Sequence, residues 1–233
     1  MPIALVAATA KEMRGALGFL REPPEVEPGR EKLFVLAGRE IVPCVTGLGV
    51  VNAALALGRI LSLPGIEGVV NLGVAGAFDL RALPLGTVCV VRQEIWPEYG
   101  LLGPHGADPR ALGFALGEAD GATVWDRLDL HPRQAAARLD LGLSGLWPEA
   151  VSLTVSGVTG TPERAAELER SFRADVENME GFALAYGCAR GGVPFVEVRA
   201  VSNRVGARPP VDWDLDLALS RLGAACAALF MNR

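Results

Sequence analysis

Histidine and lysine are nearly missing from this sequence: His105, His131, Lys11 and Lys32 are the only ones in 233 residues, and arginine supplies the other twenty cations. Two distant histidines argue against a histidine-rich zinc centre. For a Ser-His-Asp triad, the Gly-x-Ser-x-Gly elbow that would present the nucleophile is missing. The four cysteines, Cys44, Cys89, Cys188 and Cys226, never stand at Cys-x-x-Cys spacing, and each lies in an apolar run. They read as buried, reduced thiols of a cytoplasmic protein. No apolar run approaches the ~18 residues that span a bilayer. The first residues lack a charged n-region and a cleavage site, so neither a membrane nor an export route is expected. With a net charge of −5 and no basic stripe, nucleic acid is not an expected partner. Internal repeats and low-complexity segments are lacking too.

What is present is a chain half hydrophobic and 21% charged, long enough for one large α/β domain over 1–233. Residues 3–8 form an apolar run suited to a strand buried on both faces. Thr9 then offers an N-cap before Ala10-Lys11-Glu12-Met13. A Pro- and Glu-rich loop over 21–30 precedes two short runs, 33–36 and 41–45, joined by a hairpin-like turn at Gly38-Arg39. Strands are expected at 68–71, 87–91, 151–155 and 195–201, and helices over 50–63, from Thr161-Pro162-Glu163, and over 179–190. Leu215, Leu219, Leu222, Cys226 and Leu229 recur at three or four residues, the period of an amphipathic helix. Alternating strands and helices predict a three-layer α/β/α sandwich around a twisted, mixed, largely parallel sheet. Residues 98–148, rich in Gly, Pro and Arg, break the pattern and read as an insertion.

Ligands of open α/β sheets collect where strands end, and glycines there admit a ligand close to the backbone. Three such strand ends occur: Thr46-Gly47-Leu48-Gly49, Gly73-Val74-Ala75-Gly76 and Ser156-Gly157. None continues into a phosphate-binding Gly-Lys-Ser/Thr or a full dinucleotide fingerprint. The densest polar cluster in an apolar setting is Glu177-Asn178-Met179-Glu180, which can serve a site or simply cap a helix start. In Arg199-Ala200-Val201-Ser202-Asn203, strand alternation puts Arg199, Val201 and Asn203 on one face, where a buried charge needs a partner. A structural ion pair would satisfy Arg199 equally well.

Taken together, Glu12, the small-residue segment Gly73–Gly76, Met179-Glu180 and Arg199-Ala200-Val201-Ser202-Asn203 resemble the purine nucleoside phosphorylase/hydrolase superfamily, and within it the bacterial methylthioadenosine/S-adenosylhomocysteine nucleosidases. The resemblance covers the chain apart from 98–148. Two departures, Asn203 in place of a catalytic aspartate and Glu-Asn-Met-Glu-Gly in place of Glu-Met-Glu, together with Trp213 after a proline-containing loop, are similar to the futalosine hydrolase branch. That resemblance implies release of hypoxanthine from futalosine in a route to menaquinone, by water and with neither cofactor nor metal. The alternatives are a methylthioadenosine/S-adenosylhomocysteine nucleosidase, a 6-oxopurine nucleoside phosphorylase, and a non-catalytic nucleoside-binding protein of the same fold.

The resemblance also implies the roles. Glu12 would activate water as general base, and Glu180 would hold the ribose hydroxyls and steady the cationic sugar. Met179 would pack on the sugar, while Arg199 and Asn203 complete the catalytic set. An amide at 203 cannot protonate a leaving base, but its two N–H donors suit the N7 and O6 acceptors of a 6-oxopurine. Asn178, Val74, Ala75, Gly76, Thr46, Gly47, Ser202 and Arg208 would contact substrate, with Arg208 or Arg204 meeting a carboxylate on its 5′ side. Val74 stands where the nucleosidases carry a serine near the attacking water. Ala7-Ala8-Thr9-Ala10 lacks the Gly-Asp-Pro-type loop by which phosphorylases bind phosphate, which favours hydrolysis. A homodimer or higher homo-oligomer is implied, with the loop around 99–106 reaching a neighbour's site.

Overall fold

The computed structural model describes residues 1–231 except 28, 30, 31, 105 and 209. Pro28 and Arg30 of the 21–30 loop, and His105, therefore lie outside the described residues. The first half of the chain runs β1 (Ile3–Ala7), α1 (Ala10–Leu17), β2 (Phe34–Leu36), β3 (Arg39–Val45), α2 (Val50–Ser62), β4 (Gly68–Ala77) and β5 (Val88–Ile95). Then follow β6 (Leu101–Gly103), β7 (Gly106–Asp108), β8 (Gly117–Ala119), β9 (Ala122–Val124), β10 (Arg127–Asp129) and α3 (Pro132–Arg138). The chain ends with β11 (Glu149–Thr154), α4 (Pro162–Phe172), β12 (Val176–Asn178), α5 (Gly181–Arg190), β13 (Phe195–Arg204) and α6 (Leu215–Met231).

Nine strands form one mixed sheet in the order β10-β5-β11-β12-β4-β1-β3-β2, with β13 paired to both β4 and β5. The fold is the expected mixed α/β one. The double pairing of β13 adds something the sequence reading did not contain. Strand β4 pairs β13, β13 pairs β5, β5 pairs β11, β11 pairs β12, and β12 returns to β4, so five strands close into a ring. Closure removes the exposed edges that an open sheet would leave there.

The two faces of the sheet are covered by different helices. Leu222, Cys226, Leu229 and Phe230 of α6 pack with Met13 and Leu17 of α1 and Leu139 beside α3 in one core cluster. Ala53, Leu57 and Ile60 of α2 pack with Leu184 and Cys188 of α5 in the other. The α6 stripe at three- and four-residue spacing is thus a core face, as its period predicts.

Three segments differ from the sequence reading. Gly73-Val74-Ala75-Gly76 is no turn, because β4 continues through it to Ala77. Glu177 and Asn178 belong to the short strand β12, antiparallel to β4, and the helix starts only at Gly181, with Glu180 as its N-cap. The 98–148 stretch contains two small hairpins, β6-β7 and β8-β9, and then rejoins the body through β10 on β5 and through Ala136 and Leu139 in the core. Hairpins this short carry too few residues for a periodicity to register. Among the described residues, no helix is long and apolar enough to cross a membrane.

Leu222 is fully buried between α6 and the sheet. Leu222→Ala should cost about 2–5 kcal/mol of stability, the range for truncating a buried leucine. Urea denaturation should show this as a lowered midpoint with an unchanged slope.

Candidate active site

A cleft of about 530 Å³ opens where β4, β12 and β13 end, under the N-terminal turn of α1 and beside α6. That size suits a small organic ligand. Its wall brings together residues from distant parts of the sequence: Glu12, Val74, Ala75, Gly76, Asn178, Met179, Glu180, Ser202 and Asn203.

Glu12 is buried and held by a capping box. The Thr9 hydroxyl accepts from the Glu12 N–H at 3.1 Å, and Glu12 Oε2 lies 2.9 Å from the Thr9 N–H and 2.8 Å from its hydroxyl. Such a box satisfies two orphan donors of the helix start. The second oxygen, Oε1, accepts from the Val74 N–H at 3.0 Å. Position 74 therefore contributes its backbone to the site, and a valine side chain does not interfere with that.

Glu180 closes the opposite side. Its Oε1 accepts from the Gly49 N–H at 2.8 Å, which ties the start of α5 to the start of α2. Burial pushes this carboxyl up from the ordinary glutamate range, against the opposing pull of Arg199. Glu177 also faces the cleft, and burial raises it as well. Its Oε1 accepts from the Thr159 N–H at 3.0 Å, and its Oε2 pairs with the Thr159 hydroxyl. Glu177 thus anchors the 156–161 loop, whose Val158 reaches the wall.

Asn203 owes its position to an irregularity. The register of β13 on β4 shifts between Val201 and Asn203, a bulge that places both Ser202 and Asn203 on the cleft. Bulges next to sites re-aim side chains in this way. The strict alternation that would put Arg199 and Asn203 on one face is broken there. The Ser202 hydroxyl donates to Asn203 Oδ1 at 2.8 Å, and Asn203 Nδ2 donates to the Arg204 carbonyl at 2.9 Å. The amide is therefore held from both ends and keeps one N–H to give, rather than two.

Other expected residues stand off the wall. Arg199 is buried inside the ring, where Nε and Nη2 donate to Glu197 Oε1 at 2.8 and 2.7 Å. The structural ion pair named as an alternative for Arg199 thus exists. Its Nη1 lies against Gly73, on the same side as Glu12 Oε1. Asn178 reaches the wall, but its amide turns into the ring. There Oδ1 accepts from the N–H groups of Glu180 and Gly181, and Nδ2 donates to Glu94 and Ser152. The Thr46 hydroxyl donates to the Gly47 carbonyl, and neither residue lines the cleft, whereas their neighbour Leu48 does. Arg208 is exposed, with its guanidinium against Gly160 of the 156–161 loop. Arg204 pairs with Asp212 at 3.0 Å.

Sequence reasoning missed Thr9 as a wall residue, and with it Lys11, Leu215 and Leu219. The leucines follow the same period as the α6 core stripe, so nothing local separates a cleft-facing leucine from a core one. Trp213 is tied to Asn203 by an isolated antiparallel bridge, and its buried Nε1 has no partner among the described residues.

A family model described as the phosphorylase superfamily matches residues 2–231. The chain belongs to the phosphorylase superfamily. It is 39% identical over 197 residues to a futalosine hydrolase of Thermus thermophilus, with 83% of each chain covered. It is 30% identical over 184 residues to a methylthioadenosine/S-adenosylhomocysteine nucleosidase of Geobacillus kaustophilus, covering 77% of this chain and 73% of that one. A futalosine hydrolase mutant of Helicobacter pylori shares the fold with a TM-score of 0.75 at 19% identity, covering 98% of this chain and 97% of that one.

Within this phosphorylase-superfamily site, Gly73 is the residue with least room. A Cβ there would collide with Arg199 Nη1 and press on Glu12 Oε1. Gly73→Ala should lower stability by about 1–3 kcal/mol, the range for overpacking a filled interior, and thermal denaturation measures it.

Proposed function

We propose that the protein is a nucleosidase that hydrolyses the N-glycosidic bond of futalosine, releasing hypoxanthine and dehypoxanthine futalosine on a route to menaquinone. The observation that carries this reading is the 39% identity to a futalosine hydrolase over most of both chains. The held amide of Asn203 supports the choice of base. Its free N–H meets an acceptor on a 6-oxopurine, whereas the amino group of a 6-aminopurine would set donor against donor.

Bond cleavage builds positive charge on the ribose and negative charge on the departing base. Glu12, fixed by Thr9 and the Val74 amide, is the general base for water. Glu180 accepts from the ribose hydroxyls, and its charge steadies the oxocarbenium-like sugar, against which Met179 packs. Arg199 acts from behind the wall, holding its charge close to Glu12 and Glu180. Water rather than phosphate is the acceptor. The cleft wall presents the carboxylates of Glu12, Glu177 and Glu180, and its one cation among the described residues, Lys11, pairs with Asp216 at 3.6 Å. A phosphate dianion would be repelled there. Arg208, beside the 156–161 loop, is the cation for a carboxylate on the substrate's 5′ side.

The enzyme is read as a cytoplasmic homodimer. The four buried thiols fit a reducing compartment. Val51 and Leu55 of α2, with Leu48 just before it, leave an exposed apolar stripe next to an apolar groove against Phe182 and Tyr186 of α5. A patch of this kind fits a second copy of the chain. Leu48 also lines the cleft, so the interface would border the site.

Incubation with futalosine, inosine and methylthioadenosine, with and without phosphate, tests the activity. Phosphate-independent hypoxanthine release from futalosine is expected, and a preference for methylthioadenosine would overturn the reading. Glu12→Gln should cut turnover about a hundredfold or more. Asn203→Asp should raise activity on 6-amino nucleosides relative to futalosine. Sedimentation should show a dimer that Leu55→Glu dissociates.

A further inference from the structure

The interior of the five-stranded ring holds two carboxyl groups that the glycosidic reading leaves unused. Glu94 on β5 and Glu197 on β13 are fully buried, and Arg199 is 1% exposed. Side chains from four ring strands meet there, and the fifth, β4, offers bare Gly73 to Arg199. Asn178 Nδ2 donates to Glu94 Oε1 at 2.8 Å, and the Thr154 hydroxyl lies 2.6 Å from Glu94 Oε2. Arg199 spends both its donors toward Glu197 on Oε1, while Glu197 Oε2 is buried with no donor among the described residues. Glu94 Oε1 and Glu197 Oε1 converge on one point beside Gly181. Both press on Gly181, where any Cβ would strike them.

Two carboxylates beside one guanidinium, all out of water, would leave an uncompensated negative charge and an orphan oxygen. Both are costly in a low-dielectric interior, and one proton on the pair removes the excess charge. We propose that Glu94 and Glu197 hold a single proton between them, resident on Glu94, and that this pair is a positioning device for the cleft. Neutral Glu94 accepts from Asn178, and Asn178 Oδ1 in turn fixes the N–H groups of Glu180 and Gly181 at 2.8 and 2.7 Å. Ionised Glu197 aims Arg199 toward Gly73, behind Glu12. The proposal rests on the glycosidic reading only for what is positioned.

The charged and titratable groups around the pair are few. Arg199 lies on β13, the Cys89 thiol on β5 near Arg199, Glu180 at the start of α5, and Glu12 on α1 beyond Gly73. Ser152 and Thr154 of β11 and Asn178 of β12 are neutral, and Asn71 of β4 has a buried Nδ2 with no partner among the described residues. Burial pushes Glu94 well above the ordinary glutamate range, with Glu197 adding to it. A proton bound more tightly in the folded state stabilises the fold fully below the unfolded pKa. That stability fades as pH rises through the ordinary carboxylate range toward the raised one.

Two isosteric variants read the asymmetry. Glu94→Gln reproduces the neutral, donating partner, whereas Glu197→Gln strips Arg199 of its counter-charge. Between about pH 5 and 9, the Tm of Glu94→Gln should fall less steeply than that of the unsubstituted protein. Parallel curves would overturn the proposal. The kcat for futalosine should fall at least about tenfold further in Glu197→Gln than in Glu94→Gln, with the alkaline limb of its pH profile missing in Glu94→Gln. The reverse order would put the charge on Glu94 and overturn the assignment. If Glu94→Gln does not fold, the proposal fails, because an amide should take the place of the neutral acid. If no nucleoside is cleaved, the proposed function fails while the Tm comparison still decides the proton.

Discussion

A guanidinium that never meets water organises the centre of this molecule. Arg199, 1% exposed, must find its compensation inside the ring of β4, β5, β11, β12 and β13. It does so through Glu197 on its own strand and through Asn178 Oδ1 at 3.3 Å across the ring. The same Asn178 oxygen organises the first turn of α5. Charge burial, strand closure and helix start are thus coupled, and Glu180 reaches the cleft as a consequence of all three. Such networks gain from the low dielectric around them only when every member is satisfied, and each unpaired atom then becomes expensive.

The cleft is built on the margin of this interior. Backbone groups, the Val74 and Gly49 amides, hold the carboxyl groups of Glu12 and Glu180 on one side of it. The other comes from side chains that a bulge and a short strand turn outward, Asn203 and Met179 among them. Backbone donors in regular structure cost little further entropy to order, which suits groups whose aim must be kept through a reaction. Membership of the phosphorylase superfamily is consistent with this division, since relatives with different names share the scaffold at low identity.

Much of the scaffold was legible in the sequence. The capping box of α1 follows from Thr9 and Glu12, and the α6 stripe from its period, because both signals are local. The mixed α/β class followed from alternation, and the superfamily followed from four separated motifs read together. The ring was not legible, because one strand pairing with two others leaves no trace in hydrophobicity. The same limit hid the strand nature of Gly73–Gly76, where small residues looked like a turn but instead yield space to Arg199 and Asn203. The inward turn of the Asn178 amide was hidden for a related reason. A polar residue beside Met179 and Glu180 looks exposed to ligand, and only β12 shows that its side chain points the other way.

Closure of the ring also sets when the site can exist. The hydroxyl of Ser202 reaches the carbonyl of Ala75 across 127 positions of sequence, and Glu180 reaches Gly49 across 131. Contacts of such range pay their loop-closure entropy late and slow the folding of the chains that depend on them. Until β13 has been synthesised and inserted between β4 and β5, Glu94 has no Arg199 beside it, and Gly73 and Gly76 of β4 have no Arg199 or Asn203 to make room for. The molecule therefore has no partial version of its cleft: strand order makes the last major strand the keystone, and the chemistry arrives with it.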